Sequence, residues 1–71
     1  MLATVNTGEK LRRERRAGGL TQVELATRSG VAQSTIAQIE GGVRENPHPR
    51  TLKKLAEALE LSARDLLPDQ D

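Results

Sequence analysis

Cysteine and aromatic residues are both absent from this sequence of 71 residues. Without cysteine the chain has no disulfide framework and no thiolate metal site. Without Phe, Tyr or Trp the core must be built from aliphatic side chains, mainly ten Leu, four Val, two Ile and several Ala. A chain of this length is expected to form one small domain that buries about 60% of its unfolded surface, so this aliphatic core must be well packed.

Long apolar runs are lacking as well. No stretch approaches the ~20 consecutive apolar residues that are needed to span a bilayer. The first ten residues, MLATVNTGEK, do not contain a basic region followed by an apolar one, so they do not form a secretory signal. We therefore expect a cytoplasmic protein that has no membrane partner.

Groups that support catalysis or metal binding are scarce. The one histidine, His48, lies between two prolines, and the sequence offers no second soft ligand for zinc. No motif places a nucleophile beside a base, and neither Gly-Gly pair is followed by the Lys-Ser/Thr of a phosphate-binding loop. The sequence predicts that the chain is not an enzyme and has no cofactor, metal or small-molecule site.

The net charge of +1 conceals an uneven distribution. Residues 1–54 carry ten Lys and Arg against five Glu, whereas residues 55–71 carry one Arg against five Asp and Glu. A basic body suggests a polyanionic partner on one face. Composition alone, however, favours an ordinary soluble surface with interspersed charges.

Helical periodicity runs through the chain, and no segment shows the alternation of a strand. The pattern predicts an all-α fold, a compact bundle of five short helices. The first helix opens at Thr7, its candidate cap, the fourth runs from Thr51 to Leu61, and the last is capped by Ser62. Two prolines separated by one residue argue against a helix in the loop before Thr51. The expected domain covers 7–68, between flexible tails at 1–6 and 69–71.

The stretch from Leu20 to Gly41 has the pattern of a helix, a tight turn and a second helix. Thr21 and Glu24 fit a capping box at the start of the first helix. Gly30 can take the left-handed conformation that ends it. The predicted inner faces consist of apolar residues, namely Val23, Leu25 and Ala26 on the first helix and Ile36, Ala37 and Ile39 on the second. This pattern predicts a helix-turn-helix over about residues 21–40.

The opposite side of the second helix is polar, uncharged and rich in amides. Because a Gln amide offers a donor and an acceptor together, this side suits the base edges of the major groove. The following loop adds side chains that can contact phosphate or a minor groove, namely Arg44, Asn46, His48 and Arg50. The residues therefore favour DNA binding, with a plain protein-interaction bundle as the alternative.

Several motifs in combination resemble the Xre/Cro–cI family of helix-turn-helix regulators, which includes the lambdoid phage repressors. They are the LTQ start, ELA, the Gly-Val turn, Ile-x-x-Ile-Glu-x-Gly and TL-x-x-LA-x-AL, and they span about residues 8–67. The resemblance implies a lambda repressor-like fold that binds a pseudo-palindromic operator as a homodimer, most simply as a repressor. Because many small members neutralise a toxin protein, an antitoxin that also represses its own operon is a second alternative.

The resemblance also assigns roles to single residues. Gln22 takes the position that contacts the DNA backbone or an outer base, and Arg15 and Glu40 take the positions of a structural ion pair. The base-reading positions fall on Gln33, Ser34, Thr35 and Gln38, and the backbone or minor-groove positions on Arg44, Asn46 and His48. We expect the dimer surface near Leu66, Leu67 and Pro68, with closure of the core as an equal alternative for these three residues.

Two residues depart from the family pattern. Ala32 stands where a Ser or Thr cap is common, so Gln33 or Ser34 is an alternative cap for the recognition helix. Glu14 stands where an apolar residue is usual, which implies either a slight rotation of the first helix or a pairing of Glu14 with a nearby arginine.

Overall fold

Residues 5–44 and 46–68 are described by the structure, a computed structural model. They form four α-helices and one 3₁₀ turn, in the order α1 (Thr7–Ala17), α2 (Gln22–Ser29), α3 (Gln33–Glu40), α4 (Pro49–Ala58) and the 3₁₀ turn (Ala63–Leu66). The all-α prediction is confirmed, but the prediction of five α-helices is wrong. Pro68 disfavours a helical conformation at Leu67, which is extended with ψ 152°, so the last segment stops after one turn.

The first two helices begin at side-chain caps. Asn6, which we had assigned to the N-terminal tail, caps α1 in place of Thr7: its side-chain oxygen accepts from the amide of Glu9 at 2.8 Å. The predicted capping box of α2 is present, with distances of 3.1 and 2.9 Å between Thr21 and Glu24. The remaining parts of the predicted tails, 1–4 and 69–71, lie outside the described residues.

The fourth helix begins two residues earlier than predicted, at Pro49. Proline is compatible with the first helical position, because the amide hydrogen that it lacks has no partner within the helix there. His48 precedes it as the cap, with Nδ1 accepting from the amide of Arg50 at 3.0 Å. The helix ends earlier than predicted, because Glu60 takes the left-handed conformation (φ 60°) and the amide of Leu61 turns back to the carbonyl of Ala56 at 2.8 Å.

The core lies where all four helices and the 3₁₀ turn meet. Its fully buried side chains are Leu11, Leu25, Ile36, Ile39, Leu55 and Leu66. α3 packs between α1 and α2, α4 packs on α2, and the 3₁₀ turn closes over α4 and α1. Within the described ranges, no helix is long and apolar enough to cross a bilayer.

Two residues predicted on inner faces are exposed instead. Val23 is 58% exposed, and Ala37 is also exposed. Each lies two positions from a fully buried residue of its own helix, Leu25 and Ile39 respectively, and two positions correspond to a rotation of about 200°. Glu14 is half-buried beside a surface cleft that Lys10 and Arg13 also line.

The contact between α1 and α3 depends on a glycine that the sequence analysis did not single out. Gly8 is buried in the first turn of α1, against the end of α3. A Cβ atom at this position would overlap the backbone carbonyl oxygen of Ile39. The two helix backbones can therefore approach only without a side chain here, and this approach places α1 arginines beside Glu40.

Candidate nucleic-acid interface

The outer face of α3 is open to solvent. Gln33, Ser34 and Gln38 are exposed and Thr35 is half-buried, so the predicted base-reading side chains lie on the accessible side of the helix. Ala37 lies on the same face, and the sequence analysis missed it by assigning it to the core. Its methyl group adds an apolar contact of the kind that suits a thymine methyl.

The start of α3 has no side-chain cap. Ala32 occupies the N-cap position, and no bond from Gln33 or Ser34 to the first helical amides occurs among the described residues. The alternative in which one of them replaces the missing cap is therefore wrong. Both side chains stay on the outer face.

A buried ion pair joins α1 to the end of α3. Arg15 donates to Glu40 through Nε to Oε2 at 2.7 Å and through Nη2 to Oε1 at 2.9 Å, in a bidentate arrangement. The two side chains are 10% and 1% exposed. Arg15 also donates through Nη1 to the carbonyl of Leu20 at 2.7 Å, so its fork holds α3 and the α1–α2 connection together.

A second arginine of α1 lies against the same residue. Arg12 donates through Nη2 to the backbone carbonyl of Glu40 at 3.1 Å, and its Nε lies 3.6 Å from the Glu40 carboxylate. Its side chain is 44% exposed, so this positive charge reaches solvent beside the end of α3. Arg12 therefore both contacts the end of α3 and carries an exposed charge.

The charge on Glu40 is maintained despite burial. Burial by itself raises the pKa of this carboxyl, but the hydrogen bonds from Arg15 and Gln22 and the charges of Arg15 and Arg12 outweigh it, and the pKa of Glu40 is lowered. The hydrogen bond to Glu40 in turn raises the pKa of Arg15, although burial opposes this. Both partners are therefore ionised near neutral pH.

Gln22 connects this buried charge to the outer face of α3. Its Nε2 donates to Oε1 of Glu40 at 3.2 Å. Its Oε1 accepts from Nε2 of Gln33 in a longer bond of 3.4 Å. The first residue of α2 and the first residue of α3 are thus linked to one carboxylate, and this link could not be found from spacing alone.

Arg44 reaches α3 from the other end. The chain turns back after α3 through Gly42 (φ 80°), and the amides of Val43 and Arg44 both donate to the carbonyl of Gln38. This turn brings Nη2 of Arg44 to 3.1 Å from Oε1 of Gln38. The structure therefore brings this predicted backbone contact next to a predicted base contact.

The other predicted backbone or minor-groove residues, Asn46, His48 and Arg50, are also exposed, and Arg50 lies in the first turn of α4. The hydrogen bonds of the described chain do not join Asn46, His48 or Arg50 to the outer face of α3. In His48, Nδ1 is engaged in capping α4, which leaves Nε2 as the outward donor.

The three candidates for a dimer surface separate into two groups. Leu66 is fully buried, so it belongs to the core and its assignment to a dimer surface in the folded monomer is wrong. Leu67 is 44% exposed and Pro68 is exposed. Both line an apolar cleft of about 360 Å³, whose wall also includes Pro47, Pro49 and Leu52.

A protein-family model and several curated proteins match the sequence of this chain. A family model described as Helix-turn-helix, HTH_3, matches residues 11–66. The HTH-type transcriptional repressor RghR of Bacillus subtilis (strain 168) is 48% identical over 60 residues, which cover 84% of this chain and 44% of RghR. The chain thus spans less than half the length of that curated relative. The curated relatives are named as transcriptional regulators, so the prediction that this domain is not an enzyme is confirmed.

Solved structures show the same fold. The restriction-modification controller protein C.AhdI from Aeromonas hydrophila superposes with a TM-score of 0.80 at 39% identity, covering 86% of this chain and 91% of that one. The P22 c2 repressor, solved in complex with a synthetic operator, gives a TM-score of 0.80 at 32% identity, covering 89% and 94%.

Proposed function

We propose that this chain, which belongs to the HTH_3 helix-turn-helix family, binds double-stranded DNA and regulates transcription. The observation that carries the proposal is the open outer face of α3, on which Gln33, Ser34 and Gln38 are exposed beside two arginines. Uncharged polar groups within a positive rim match the base edges of a major groove between its phosphates.

In this proposal α3 enters the major groove. Gln33 and Gln38, which are five residues apart, contact base edges. Ser34 and Thr35 add hydroxyl groups, which can pair with either a donor or an acceptor on a base. The ion pair between Arg15 and Glu40 contacts no base. It holds α3 at a constant angle to the rest of the domain.

Positive and amide groups around α3 contact the phosphates. Gln22 lies at the positive end of α2, where an anion is favoured. Arg44 and Arg12 both contact the C-terminal half of α3, at Gln38 and Glu40 respectively. The phosphate or minor-groove role extends to the exposed loop and helix-start residues Asn46, His48 and Arg50.

One α3 offers few base contacts, so we propose that the protein binds as a homodimer. Two recognition helices about 34 Å apart would match a pseudo-palindromic operator, and occupancy of that operator would repress transcription. The apolar cleft beside Leu67 and Pro68 supports a protein contact at this end of the domain, because it leaves aliphatic surface exposed to water. Such a regulator acts in the cytoplasm, on the nucleoid.

Selection of bound sites from random DNA, followed by a salt titration on the selected site, tests the proposal. We expect a palindromic site. Gln33→Ala should weaken binding to that site by about 1–3 kcal/mol and leave binding to random DNA nearly unchanged. Equal losses on both kinds of DNA would instead place Gln33 on the backbone.

The phosphate role of Arg44 is tested in the same titration. Arg44→Ala should weaken all sequences alike and lower the salt slope by about 1, because one fewer counterion is released. Arg64→Ala is the matched control, since it removes an exposed arginine from the 3₁₀ turn. A slope that changes equally in both variants would contradict a specific phosphate contact at Arg44.

The same experiment separates the alternatives raised by the sequence. Absence of any salt-sensitive DNA binding would leave the protein-interaction bundle. Neither the described residues nor the names of the curated relatives support a toxin partner.

A further inference from the structure

Among the described residues, the most exposed large apolar side chain lies in the turn that follows α3. The exposed fraction is 80% for Val43, against 58% for Val23 and 44% for Leu67. Leu67 lines the apolar cleft described above, and a single exposed valine is ordinary on a protein surface. Val43 differs from the other two because its turn is attached to a residue of the proposed DNA interface.

Hydrogen bonds hold this turn against the recognition helix. The backbone amide of Val43 donates to the carbonyl oxygen of Gln38 at 3.0 Å, and the amide of Arg44 donates to the same oxygen at 3.1 Å. The guanidinium of Arg44 also donates to Oε1 of Gln38. DNA that contacts both Gln38 and Arg44 would therefore pass close to Val43.

The side chain of Val43 can make only apolar contacts. It has no donor or acceptor, so it cannot bind phosphate as an arginine does or pair with a base as a glutamine does. Its branched Cβ restricts rotation about χ1, so little conformational freedom is lost when DNA covers it. The apolar group that a base presents in the major groove is the C5 methyl of thymine. Cytosine and uracil lack this methyl group, whereas 5-methylcytosine carries it at the same ring position.

We propose that Val43 is a specificity-determining residue whose side chain contacts the C5-methyl group of a pyrimidine in the bound DNA. The contact favours thymine over uracil, and 5-methylcytosine over cytosine, at one position of the site. It lies outside the recognition helix and needs no hydrogen bond. This inference rests on the DNA-binding function proposed above, and it adds the chemical group that the turn after α3 reads.

Substitution of single methyl groups in the selected DNA site measures this contact. Deoxyuridine replaces each thymine in turn, which removes one methyl group and leaves the hydrogen-bonding groups of the base pair unchanged. At the position next to Val43 the wild-type protein should bind the deoxyuridine site about 3- to 5-fold less tightly, as expected for burial of one methyl group. When cytosine is placed at that position, its C5 methylation should strengthen binding by a similar factor.

Three variants assign the effect to Val43. Val43→Ala removes two methyl groups and should abolish both differences at that one position. Val43→Ile keeps a branched apolar side chain and should retain them. Val23→Ala is the matched control, because it shortens an exposed valine in α2 and should leave every ratio unchanged. All three positions are exposed, and circular dichroism verifies that the variants fold as the wild type does.

The measured quantity is the ratio of affinities for two DNA sites that differ by one methyl group, so a general loss of DNA affinity does not change it. If Val43→Ala abolishes the methyl effect at no position, or if Val23→Ala abolishes the same effect, the inference is overturned while DNA binding itself stands. A failure of the wild-type protein to select any site would instead contradict the proposed function, and this inference with it.

Discussion

Replacing Arg15 by methionine should destabilise the domain more than any exposed arginine substitution in α1. Methionine keeps much of the aliphatic stem and removes the guanidinium. The change abolishes two charge-assisted bonds to Glu40 and the bond to the carbonyl of Leu20. Glu40, whose side chain is 1% exposed, keeps its negative charge with fewer partners.

The magnitude follows from what remains around Glu40. Removing one partner of a buried pair costs about 3–5 kcal/mol, because the other charge stays buried without compensation. Arg12 remains 3.6 Å from the carboxylate and Gln22 still donates to it, so we expect the lower end, about 3 kcal/mol. A domain of this size has a total stability of about 4–10 kcal/mol. The melting temperature should then fall by about 12–24 °C.

Urea unfolding followed by circular dichroism measures the effect, and its pH dependence identifies the cause. Because the pKa of Glu40 is lowered in the folded state, the unfolded chain binds the proton first as the pH falls. The stabilisation is complete above the ordinary value of about 4.3 and is lost as the pH falls through the lowered pKa. The difference between wild type and Arg15→Met should therefore be largest at neutral pH and shrink in acid.

Two further variants decide whether this account is correct. Arg16→Met removes an exposed arginine from the same helix and should change stability by no more than about 0.5 kcal/mol. Arg15→Met combined with Glu40→Met removes both charges and should recover much of the loss. A cost below about 1 kcal/mol for Arg15→Met, or a double variant as unstable as the sum of the two single ones, would refute it.

Three other substitutions test local features by thermal unfolding. Gly8→Ala should cost about 1–3 kcal/mol, because the new methyl group meets the Ile39 carbonyl. Gly18→Ala, at the other end of α1, meets nothing closer than 3.6 Å and should be neutral or slightly stabilising, so similar losses in both would contradict the close approach of α1 and α3. Glu60→Gly should stabilise by about 0.5–1 kcal/mol by relieving the left-handed backbone at φ 60°, and a loss of stability would show that the Glu60 side chain contributes more than the backbone strain. Ala32→Ser should add about 1 kcal/mol by capping α3, and no gain would mean that the first amides of α3 are already satisfied.

The interactions that the sequence predicted correctly at individual helix ends are short-range. Thr21 and Glu24 form their capping box, and Gly30 ends α2 in the left-handed conformation (φ 77°), as expected. These features involve groups within three or four residues of one another, so the local sequence alone defines them. The same rule explains the errors at Thr7, at Thr51 and at the end of the last segment, because helix ends are decided by one or two residues and here Asn6, His48 and Pro68 decided them.

The family motifs carried the assignment further than periodicity could. Arg15 and Glu40 are 25 residues apart, and only the resemblance indicated that they would meet. Periodicity alone placed Val23 and Ala37 in the core, because it cannot distinguish the buried side of a short helix from the side next to it.

The sequence by itself determined the helical class, the position of the helix-turn-helix and the polar character of the outer face of α3, because each depends on residues that are neighbours in the chain. Only the tertiary structure decided that Gly8 lets α1 approach α3, that Arg12 joins Arg15 at Glu40, and that Leu66 is buried while Leu67 is not. The hydrogen bonds through Gln22 belong to the same group, because it and its carboxylate partner are 18 residues apart and meet only once α1, α2 and α3 have packed.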